Sequence, residues 1–470
     1  MASLFCGLDF GTTNSSVALS DGRHVRVLEL DRLNDNPYAL PSLLYISREG
    51  EQLVGREAAN AFIERNVDRE VLLKQVDLGV SVDAYVASEP DKSEGYRPRE
   101  EICDTREAVR ARATVEVNSP GRLFQSIKSM LRHRDFRGTE VFGAHYQIEE
   151  LVSLILARIR ETVVREAGEA VDTVVLGRPV LFSTCDKEDA VAESRLRRAA
   201  ELAGFSKVVF FYEPVAACVE YAVRTDTRQR LMVVDIGGGT CDVCIMEFGG
   251  AQGTAARLAA SRILGVAGVP VAGDVIDREM IRAKVFPCLG SRSRYGPSKL
   301  PMPLFVYNSL LDWQNLYKLN TEETLNWLIA VETSSTQPEA IRALRTFIQR
   351  NYGYPLFRKV EQAKKCLSDL WEARVEFHTE SMHFSVHVGR SEFSRIIEPA
   401  LEDMLETIIE AEQAAGLDSE AIDYVLTTGG TCLVPAVRHM LAQRYGPERL
   451  LHRDTFTSVA AGLAIIAQYL

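Results

Sequence analysis

Two short turns in this sequence carry the residue types that bind phosphate groups. The first reads Asp9-Phe10-Gly11-Thr12-Thr13-Asn14, the second reads Asp235-Ile236-Gly237-Gly238-Gly239-Thr240, and each follows an apolar run. A turn of small residues points several backbone N–H groups in one direction, where they can surround phosphate oxygens. Glycine lets the backbone approach a ligand closely. A single turn of this kind is typical of an ordinary hairpin, but two matched turns together predict a phosphate-binding site.

Aspartate stands at the same place in both turns, where the apolar run ends. A carboxylate there can hold magnesium directly or through the ion's water molecules, so Asp9 and Asp235 are the candidate metal residues. A third glycine site, Gly429-Gly430-Thr431, offers a backbone against which a base or ribose could lie. The sequence contains no Walker A loop, and no Gly-x-Gly-x-x-Gly opens a helix, so two common nucleotide motifs are excluded.

Apolar runs on both sides of each turn predict the elements that hold it. Strand, polar turn and strand form a hairpin, and this unit occurs twice, around residues 4–19 and 231–246. Such a duplication favours two similar α/β lobes with a cleft between them. We place the lobes at residues 1–225 and 226–470, and we expect the last helix, 458–470, to pack back on the N-terminal lobe.

Two stretches interrupt the α/β pattern and are interpreted as insertions. Residues 64–118 are charged and weakly periodic and are expected to be part helix and part loop, and residues 287–353 contain helical pieces. Elsewhere the pattern predicts long helices. Those that bear on the argument span residues 123–134, 148–167 and 391–415.

Composition limits the class of protein. A chain of 470 residues exceeds one compact core. The formal net charge is −11 with no dominant basic stripe, which argues against nucleic acid and an anionic membrane as partners. Nine scattered cysteines and the absence of a signal-peptide pattern indicate a reducing cytoplasm. Cys241 and Cys244 have the spacing of a redox pair, but on a strand they would face opposite sides, so both are interpreted as packing residues.

Five motifs, in order along the chain, resemble the ATPase domain of the seventy-kilodalton heat-shock chaperone family, with closest likeness to its short bacterial members of the YegD type. They read Asp9-Phe-Gly-Thr-Thr-Asn-Ser, Tyr212-Glu-Pro-Val-Ala-Ala, Asp235-Ile-Gly-Gly-Gly-Thr-Cys-Asp-Val, Val360-Glu-Gln-Ala-Lys-Lys-Cys-Leu-Ser and Thr428-Gly-Gly-Thr. The resemblance implies a two-lobed actin-like ATPase fold with duplicated ribonuclease-H-like lobes. It also implies ATP or ADP with magnesium in the cleft.

The resemblance assigns catalytic roles to matching positions. Lys128 resembles the family's catalytic lysine, and Glu213 resembles the acid that contacts magnesium-bound water. Asp235 and Thr240 resemble the pair that positions the attacking water, and Asp242 resembles the second acid of that turn. The alternatives remain open, since a solvated helix lysine and a helix-start carboxylate are common devices.

The resemblance also assigns the nucleotide-binding positions. Glu361, Lys364 and Ser368 resemble the family's adenosine-contacting helix, and their spacing places them on one helical face, although an exposed helix face has the same spacing. The full set is Gly11, Thr12, Thr13, Asn14, Gly237, Gly238, Gly239, Glu361, Lys364, Ser368, Gly429, Gly430 and Thr431. Two positions depart from the family, because Leu433 stands where it has an arginine and Phe456 where it has an acid.

These features predict a slowly hydrolysing ATP switch that acts on a protein client or co-chaperone. The printed chain ends where the family continues into a peptide-binding domain, so we expect that domain to be lacking and the chain to be a monomer. Two other functions remain open. A small-molecule kinase of the same superfold would need a carboxylate base beside the γ-phosphate, and a nucleotide-binding filament or scaffold protein would turn ATP over weakly.

Overall fold

The computed structural model describes residues 4–86, 105–171, 173–183, 185–222, 227–248, 256, 260–452 and 457–470. Its strands are β1 Phe5–Phe10, β2 Asn14–Ser20, β3 Val25–Val27, β4 Leu40–Pro41, β5 Leu44–Ser47, β6 Gln52–Val54, β7 Leu73–Val86, β8 Thr105–Glu116, β9 Gly121–Phe124, β10 Gly138–Val141, β11 Ala144–Gln147, β12 Thr173–Arg178, β13 Lys207–Tyr212, β14 Gln229–Ile236, β15 Cys241–Phe248, β16 Arg262–Val269, β17 Arg294–Tyr295, β18 Leu300–Pro301, β19 Glu372–His378, β20 His383–Gly389, β21 Tyr424–Thr428 and β22 Leu450–His452.

The α-helices alternate with these strands. They are α1 Arg56–Asn66, α2 Ile127–Met130, α3 Ile148–Ala167, α4 Asp186–Leu202, α5 Glu213–Ala222, α6 Gly273–Met280, α7 Leu304–Leu310, α8 Glu322–Ser334, α9 Pro338–Gln349, α10 Gly353–Asp369, α11 Arg390–Ile396, α12 Glu398–Ala415, α13 Pro435–Tyr445 and α14 Ser458–Ile466. Short 3₁₀ turns include Trp313–Leu319 and Gly430–Leu433. Within the described residues, no helix is both long enough and apolar enough to cross a bilayer.

The two main sheets repeat one arrangement. The first runs β13-β12-β1-β2-β3, with β4 paired to β2, and the second runs β22-β21-β14-β15-β16. In both, the strand before a glycine-rich turn pairs antiparallel with the strand after it and parallel with a later strand. The duplicated hairpin expected from the sequence is therefore confirmed, and the α/β two-lobed fold with it. First lobe and second lobe denote the described residues up to 222 and from 227 onward, and the boundary predicted at 225 and 226 lies outside the described residues.

Strand β15 shows why these strands are mostly apolar on both faces, although β15 also contains Asp242 and Glu247. Cys241 belongs to the core on one side of the second sheet together with Ile236, whereas Cys244 belongs to the core on the other side together with Leu231. Successive side chains of a strand point to opposite faces, so a strand covered on both faces has no polar side to show. Both cysteines are buried free thiols, which agrees with their interpretation as packing residues.

Helix α14 packs against β1, β2 and α5 at very short range. A Cβ built on Gly7 of β1 would lie 2.1 Å from the Ala464 nitrogen, and one built on Gly462 would lie 1.9 Å from the Ala216 carbonyl oxygen. Two glycines thus let the last helix touch the backbone of the first sheet and of α5. Replacement of either glycine forces backbone atoms to move.

We expect Gly462→Ala to lower the free energy of unfolding by about 1–3 kcal/mol, because the new methyl group overpacks the contact between α14 and α5. Urea unfolding followed by circular dichroism measures the change. Ala461→Ser, at a half-buried position of the same helix, is the matched control and should cost less. An unchanged midpoint for Gly462→Ala would contradict the close approach of the two helices.

The interpretation of residues 64–118 as part helix and part loop is wrong over most of its described part. Helix α1 ends at Asn66, and β7 and β8 then pair antiparallel over more than ten residues each. The sequence explains the error in part, because charged residues alternate with small or β-branched ones from 109 to 113. Alternation with period two is the pattern of a strand, and the high charge concealed it.

Two predicted helices are also corrected. Residues 123–134 begin as β9, which pairs with β5, and become helical only for the single turn α2, because Ser126 takes the left-handed conformation with φ 57°. The predicted helix 391–415 is divided into α11 and α12 at Ile397. Pro399 has no N–H to continue a helix from before it, whereas its fixed φ suits a first turn.

Candidate nucleotide site

The two glycine-rich turns lie against each other. A Cβ built on Gly238 would lie 1.9 Å from Thr13 Oγ1, and one built on Gly239 would lie 3.1 Å from Thr12 Cγ2. Only glycine permits this approach between the two lobes. Thr13 Oγ1 is buried and has no hydrogen-bond partner among the described residues. Because buried polar atoms are nearly always bonded, this hydroxyl is available to a ligand between the turns.

Each turn is braced by its own lobe. The Gly11 carbonyl accepts a hydrogen bond from Ser42 Oγ at 2.8 Å, and the Ser42 N–H donates to the Thr13 carbonyl at 2.8 Å. Asn14 opens β2 directly after the first turn. In the second turn, the Gly237 N–H donates to the Thr240 carbonyl at 3.1 Å. The turns are therefore held in fixed positions before any ligand binds.

The third glycine site is joined to the second turn. Thr431 Oγ1 donates to the Gly237 carbonyl at 2.7 Å. A Cβ built on Gly429, which has φ 82°, would lie 2.2 Å from the Ile236 carbonyl oxygen and 2.8 Å from Asp235 Oδ1. Gly430 begins the 3₁₀ turn that follows. The structure thus brings two of the three predicted glycine segments into direct contact within the second lobe.

Three aspartates lie on the strands that flank the two glycine-rich turns. Asp235 and Asp242 face each other across the ladder of β14 and β15, and Asp9 faces Ser16 across that of β1 and β2. Burial raises the pKa of Asp242 to about 7. Burial and the charge of Glu213 raise the pKa of Asp9 to about 7, against the opposing effect of Lys128. Burial also holds the pKa of Asp235 well above its usual range, helped by Glu213 and Asp242.

Lys128 and Glu213 form a buried ion pair in the first lobe. Lys128 Nζ donates to Glu213 Oε1 at 2.8 Å, and both residues are 8% exposed. Burial by itself would lower the pKa of Lys128, but the attraction of Glu213 and Asp9 outweighs it, so the pKa is raised and the ammonium stays charged. The solvated helix lysine considered as an alternative is therefore wrong. Its neighbours Asp9 and Asp242 place this charge beside the carboxylate cluster.

Helix α10 places Lys364 near the second turn. Lys364 Nζ donates to Asp277 Oδ2 at 2.8 Å and to the Gly273 carbonyl at 3.1 Å, and the Gly273 N–H donates to the Gly237 carbonyl at 3.2 Å. Glu361, one turn earlier, is paired with Lys365 and Arg358. Ser368 lies one turn beyond Lys364, where its carbonyl accepts from Arg390 at 3.3 Å.

Sequence reasoning missed the start of α6. The Asp274 N–H donates to the Gly238 carbonyl at 2.8 Å, and burial raises the pKa of the Asp274 side chain. Asp277 is buried beside Lys364, and burial raises its pKa to about 6. A signal was present, because a glycine and an acid follow a strand-like run at a helix start. That is the pattern of a helix N-terminus beside a phosphate site.

The oxygen ligands of this site suit magnesium better than a metal ion that is held by protein side chains alone. Among the described residues, no three His, Cys, Asp or Glu side chains converge closely enough to hold a metal by themselves. Magnesium usually keeps several water ligands and binds through one or two carboxylates and substrate phosphates. Asp9, Asp235 and Asp242, with the unpartnered buried hydroxyls of Thr13 and Ser16, provide this chemistry.

One of the two positions that depart from the family pattern lies within the described residues. Leu433 ends the 3₁₀ turn after Gly430 and is half-buried, so this position supplies an apolar side chain where the family has a cation. Phe456 lies outside the described residues.

Comparison with known proteins decides the family. The family model described as Hsp70 protein matches residues 125–261 and 349–470, which is more than half of the chain. The chain belongs to the Hsp70 family. Its matched ranges include Lys128, Glu213, the second turn, α10 and the third glycine site, whereas most of both insertions falls outside them.

Alignments over nearly the whole of this chain support membership of the Hsp70 family. A chaperone protein DnaK of Thermus thermophilus is 24% identical over 467 residues, which cover 97% of this chain and 60% of that protein. Chaperone protein DnaK 1 of a Synechococcus species is 24% identical and covers 98% of this chain and 49% of that protein. This Hsp70-family chain thus spans between half and three fifths of the length of these relatives.

Proposed function

We propose that this chain binds ATP with magnesium between the two turns, hydrolyses it slowly, and uses the opening and closing of the lobes as a chaperone-like signal to protein partners. The observation that carries the proposal is the contact of Thr12 and Thr13 with Gly238 and Gly239. A phosphate group between these turns would meet backbone N–H groups from both lobes. Binding would then favour the closed arrangement, as a ligand does when it contacts both sides of a hinge.

Hydrolysis would depend on the buried ion pair and the second turn. Lys128 would orient the attacking water and offset the charge that develops on the γ-phosphate, since fixed charge in a water-poor site stabilises a transition state strongly. Glu213 would hold Lys128 in place. Asp235 and Thr240 would position the same water, and the bound magnesium would neutralise phosphate charge. Slow turnover is expected because regulatory lobe motion, rather than chemistry, is the output.

The nucleoside end would lie beside α10 and the third glycine site. Lys364, already bonded to Gly273 and Asp277, and Glu361 and Ser368 are the proposed adenosine contacts, with Gly429, Gly430 and Thr431 on the other side. We also propose that the two lobes span residues 1–225 and 226–470. The support is the family match over residues 125–261 and 349–470, which include α10 and the third glycine site.

Binding and steady-state hydrolysis test the proposal directly. The parent chain should bind ATP with magnesium and release phosphate, and Asp235→Asn should reduce hydrolysis while the circular dichroism spectrum is unchanged. A parent chain that neither binds nor hydrolyses ATP would overturn the proposal. The kinase alternative is tested by a screen of sugar and carboxylic acid acceptors, since phosphate would then appear on the acceptor instead of in solution.

The buried carboxylates predict a pH dependence. In the folded chain the pKa of Asp9 and of Asp242 is raised from the ordinary value of 3.8 to about 7. Protonation of these carboxyl groups therefore stabilises the ligand-free fold, fully at a pH below 3.8. This stabilisation is lost as the pH rises through 7. Metal binding needs the ionised forms. We therefore expect the ligand-free melting temperature to fall from pH 6 to pH 8 and the stabilisation by magnesium and ATP to grow. Asp242→Asn should flatten both trends, and parallel curves with and without ligand would contradict the assignment.

A further inference from the structure

One face of the hairpin formed by β19 and β20 is rich in histidine. Three of the eight histidines of the chain, His378, His383 and His387, lie on this face. His378 and His383 are direct cross-strand partners at the end of the ladder, and both are exposed. Side chains that face each other in this way have Cβ atoms about 4.5–5.5 Å apart. The two imidazole rings therefore stand side by side at the surface.

The separation of the two rings suits a shared metal ion. The ring centres of His378 and His383 are 5.9 Å apart, and the ring planes are inclined at 56°. A zinc–nitrogen bond is about 2.0–2.1 Å long and a nitrogen lies about 1.1 Å from the centre of its own ring, so two imidazoles on one tetrahedral ion have ring centres roughly 5–6 Å apart. The observed separation lies within this range. Rotation of the two exposed side chains can therefore aim one nitrogen of each at a common point.

The nitrogen atoms of the pair are available to a ligand. Among the residues that the structure describes, neither His378 nor His383 forms a hydrogen bond or an ion pair, and their contact is with each other. His387, on the same face, differs because its Nε2 lies 2.8 Å from Glu372 Oε2. Neutral imidazole is the commonest side-chain metal ligand in proteins. The pair thus combines the right ligand type with nitrogens that are not already engaged.

The charges along the hairpin favour a cation at this pair. Glu376 lies two residues before His378 on the same strand face, and Glu380 lies in the turn between the two histidines. Both glutamates are exposed. Arg374 is four residues before His378, about 13 Å along the strand. A divalent ion at the pair would therefore lie closer to carboxylates than to this guanidinium, which lowers its electrostatic energy.

The hairpin fixes the backbone of the pair before any ligand arrives. The Thr379 N–H donates to the Met382 carbonyl at 2.9 Å and closes the turn. On the opposite face, Phe377 is buried, and its ring centre lies 5.5 Å from that of Phe384 and 5.4 Å from that of Tyr352. Binding of an ion would therefore order little more than two side chains, and the loss of conformational entropy would be small.

We propose that His378 and His383 bind a zinc ion, which would link the two strands at the end of the hairpin. Imidazole nitrogen suits zinc, copper and nickel, whereas magnesium and calcium prefer oxygen ligands. Within the described residues, no third His, Cys, Asp or Glu side chain converges on the pair. Water molecules would therefore fill the other positions of the ion and leave it open to an external ligand. This site shares no residue with the nucleotide site and does not depend on ATP hydrolysis.

Isothermal titration of the ligand-free chain with zinc chloride, in a buffer that contains magnesium, tests the proposal. The parent should bind with a dissociation constant of about 1–100 μM, because two nitrogens hold the ion instead of the four ligands of a structural zinc site. Loss of a group that merely supports a metal ligand costs about 10–100-fold in affinity. His378→Gln and His383→Gln each remove a ligand itself, so each should weaken binding by at least about tenfold. His387→Gln, on the same face, is the matched control and should bind zinc as the parent does.

A second measurement counts the nitrogen ligands directly. Copper(II) prefers the same imidazole nitrogens, and its electron paramagnetic resonance spectrum should show two bound nitrogens in the parent and one in either His378→Gln or His383→Gln. Zinc should also raise the melting temperature of the parent and of His387→Gln more than that of His378→Gln, because an ion that binds the folded chain stabilises it.

Three outcomes would overturn the zinc site. The parent could show no saturable zinc binding up to about 1 mM, a concentration at which only very weak binding is left undetected. Both His378→Gln and His383→Gln could bind zinc as tightly as the parent, which would place the ion elsewhere on the chain. His387→Gln could abolish binding as completely as the other two variants, which would contradict a site made by His378 and His383 alone.

Discussion

Lys128→Ala should reduce the turnover number for ATP hydrolysis by about 10²–10⁴-fold, the range usual for a positioned group that acts on the transition state. Lys128 is a buried cation of the first lobe that interacts with Asp9 and Asp242 and is bonded to Glu213 at 2.8 Å. The ammonium is the charge that would oppose the developing charge of the γ-phosphate. Single-turnover hydrolysis at saturating ATP and magnesium measures this effect apart from binding.

The same substitution also threatens the fold. Removal of one partner from a buried ion pair leaves an uncompensated charge and costs about 3–5 kcal/mol. A double variant, Lys128→Met with Glu213→Gln, removes both charges and keeps the volume of the side chains. It should therefore fold more stably than Lys128→Ala, and it should still hydrolyse ATP more slowly than the parent chain. Lys359→Ala, at an exposed position of α10, is the surface control. Full turnover by a folded double variant would refute the catalytic role of Lys128.

The parts of the fold that sequence predicted best are those where turn chemistry and apolar runs agree. Asp9 and Asp235 each end a buried strand, and the small residues after them permit only a tight turn, so both hairpins were predictable. Helix α3 was predicted to the residue, because Gln147 and Glu150 cap its start and Gly168 ends it with φ 73°. At these places local preference and tertiary packing favour the same structure.

Prediction failed where contacts across the chain decide the structure. Residues 123 and 124 join a strand because β5 offers a partner, and no local pattern shows that partner. Asp274 reaches the second turn only after α6 has folded onto Gly238. The pairing of Lys128 with Glu213 joins residues 85 positions apart, so no spacing along the chain shows it, and the resemblance implied only a separate role for each residue.

An aromatic cluster that joins the two lobes was also invisible in the sequence. Phe62 of α1 lies 5.6 Å from Trp313 and 5.5 Å from Tyr354, and Trp313 lies 4.8 Å from Tyr354, between ring centres. All three residues are buried. Two hydrogen bonds between the lobes lie beside these rings. The Asp68 N–H donates to the Arg350 carbonyl at 2.9 Å, and the Tyr352 hydroxyl donates to Asp68 Oδ1 at 2.9 Å.

This cluster should set the rate at which the lobes separate. Its rings come from both sides of the cleft, so an opened arrangement would expose them to water. Burial of an aromatic side chain in a packed cluster is worth about 3–5 kcal/mol when it is truncated. Only the part of this free energy that is lost when the lobes open stabilises the closed state. Each 1.4 kcal/mol of that part changes the equilibrium between open and closed lobes about tenfold.

We therefore expect Trp313→Ala to speed ADP release by about 10–100-fold, given a loss of about 1.4–2.8 kcal/mol from the closed state. Stopped-flow displacement of a fluorescent ADP measures the rate. Tyr352→Phe removes the hydrogen bond that the hydroxyl donates to the Asp68 carboxylate, a bond to a charged group worth about 1.5–3 kcal/mol, and should also speed release. Trp327→Ala is the matched control, because Trp327 packs on Tyr295 within the second lobe, at 6.1 Å between ring centres, and should leave the rate unchanged.

The control separates two roles of the aromatic cluster. If Trp313→Ala lowers the unfolding midpoint but leaves ADP release as fast as in the parent, the rings stabilise the fold and do not hold the lobes together. If release accelerates for both Trp313→Ala and Tyr352→Phe and not for Trp327→Ala, opening limits release. The phosphate turns then fix the closed state at the base of the cleft, and Phe62, Trp313 and Tyr354 determine how long it persists.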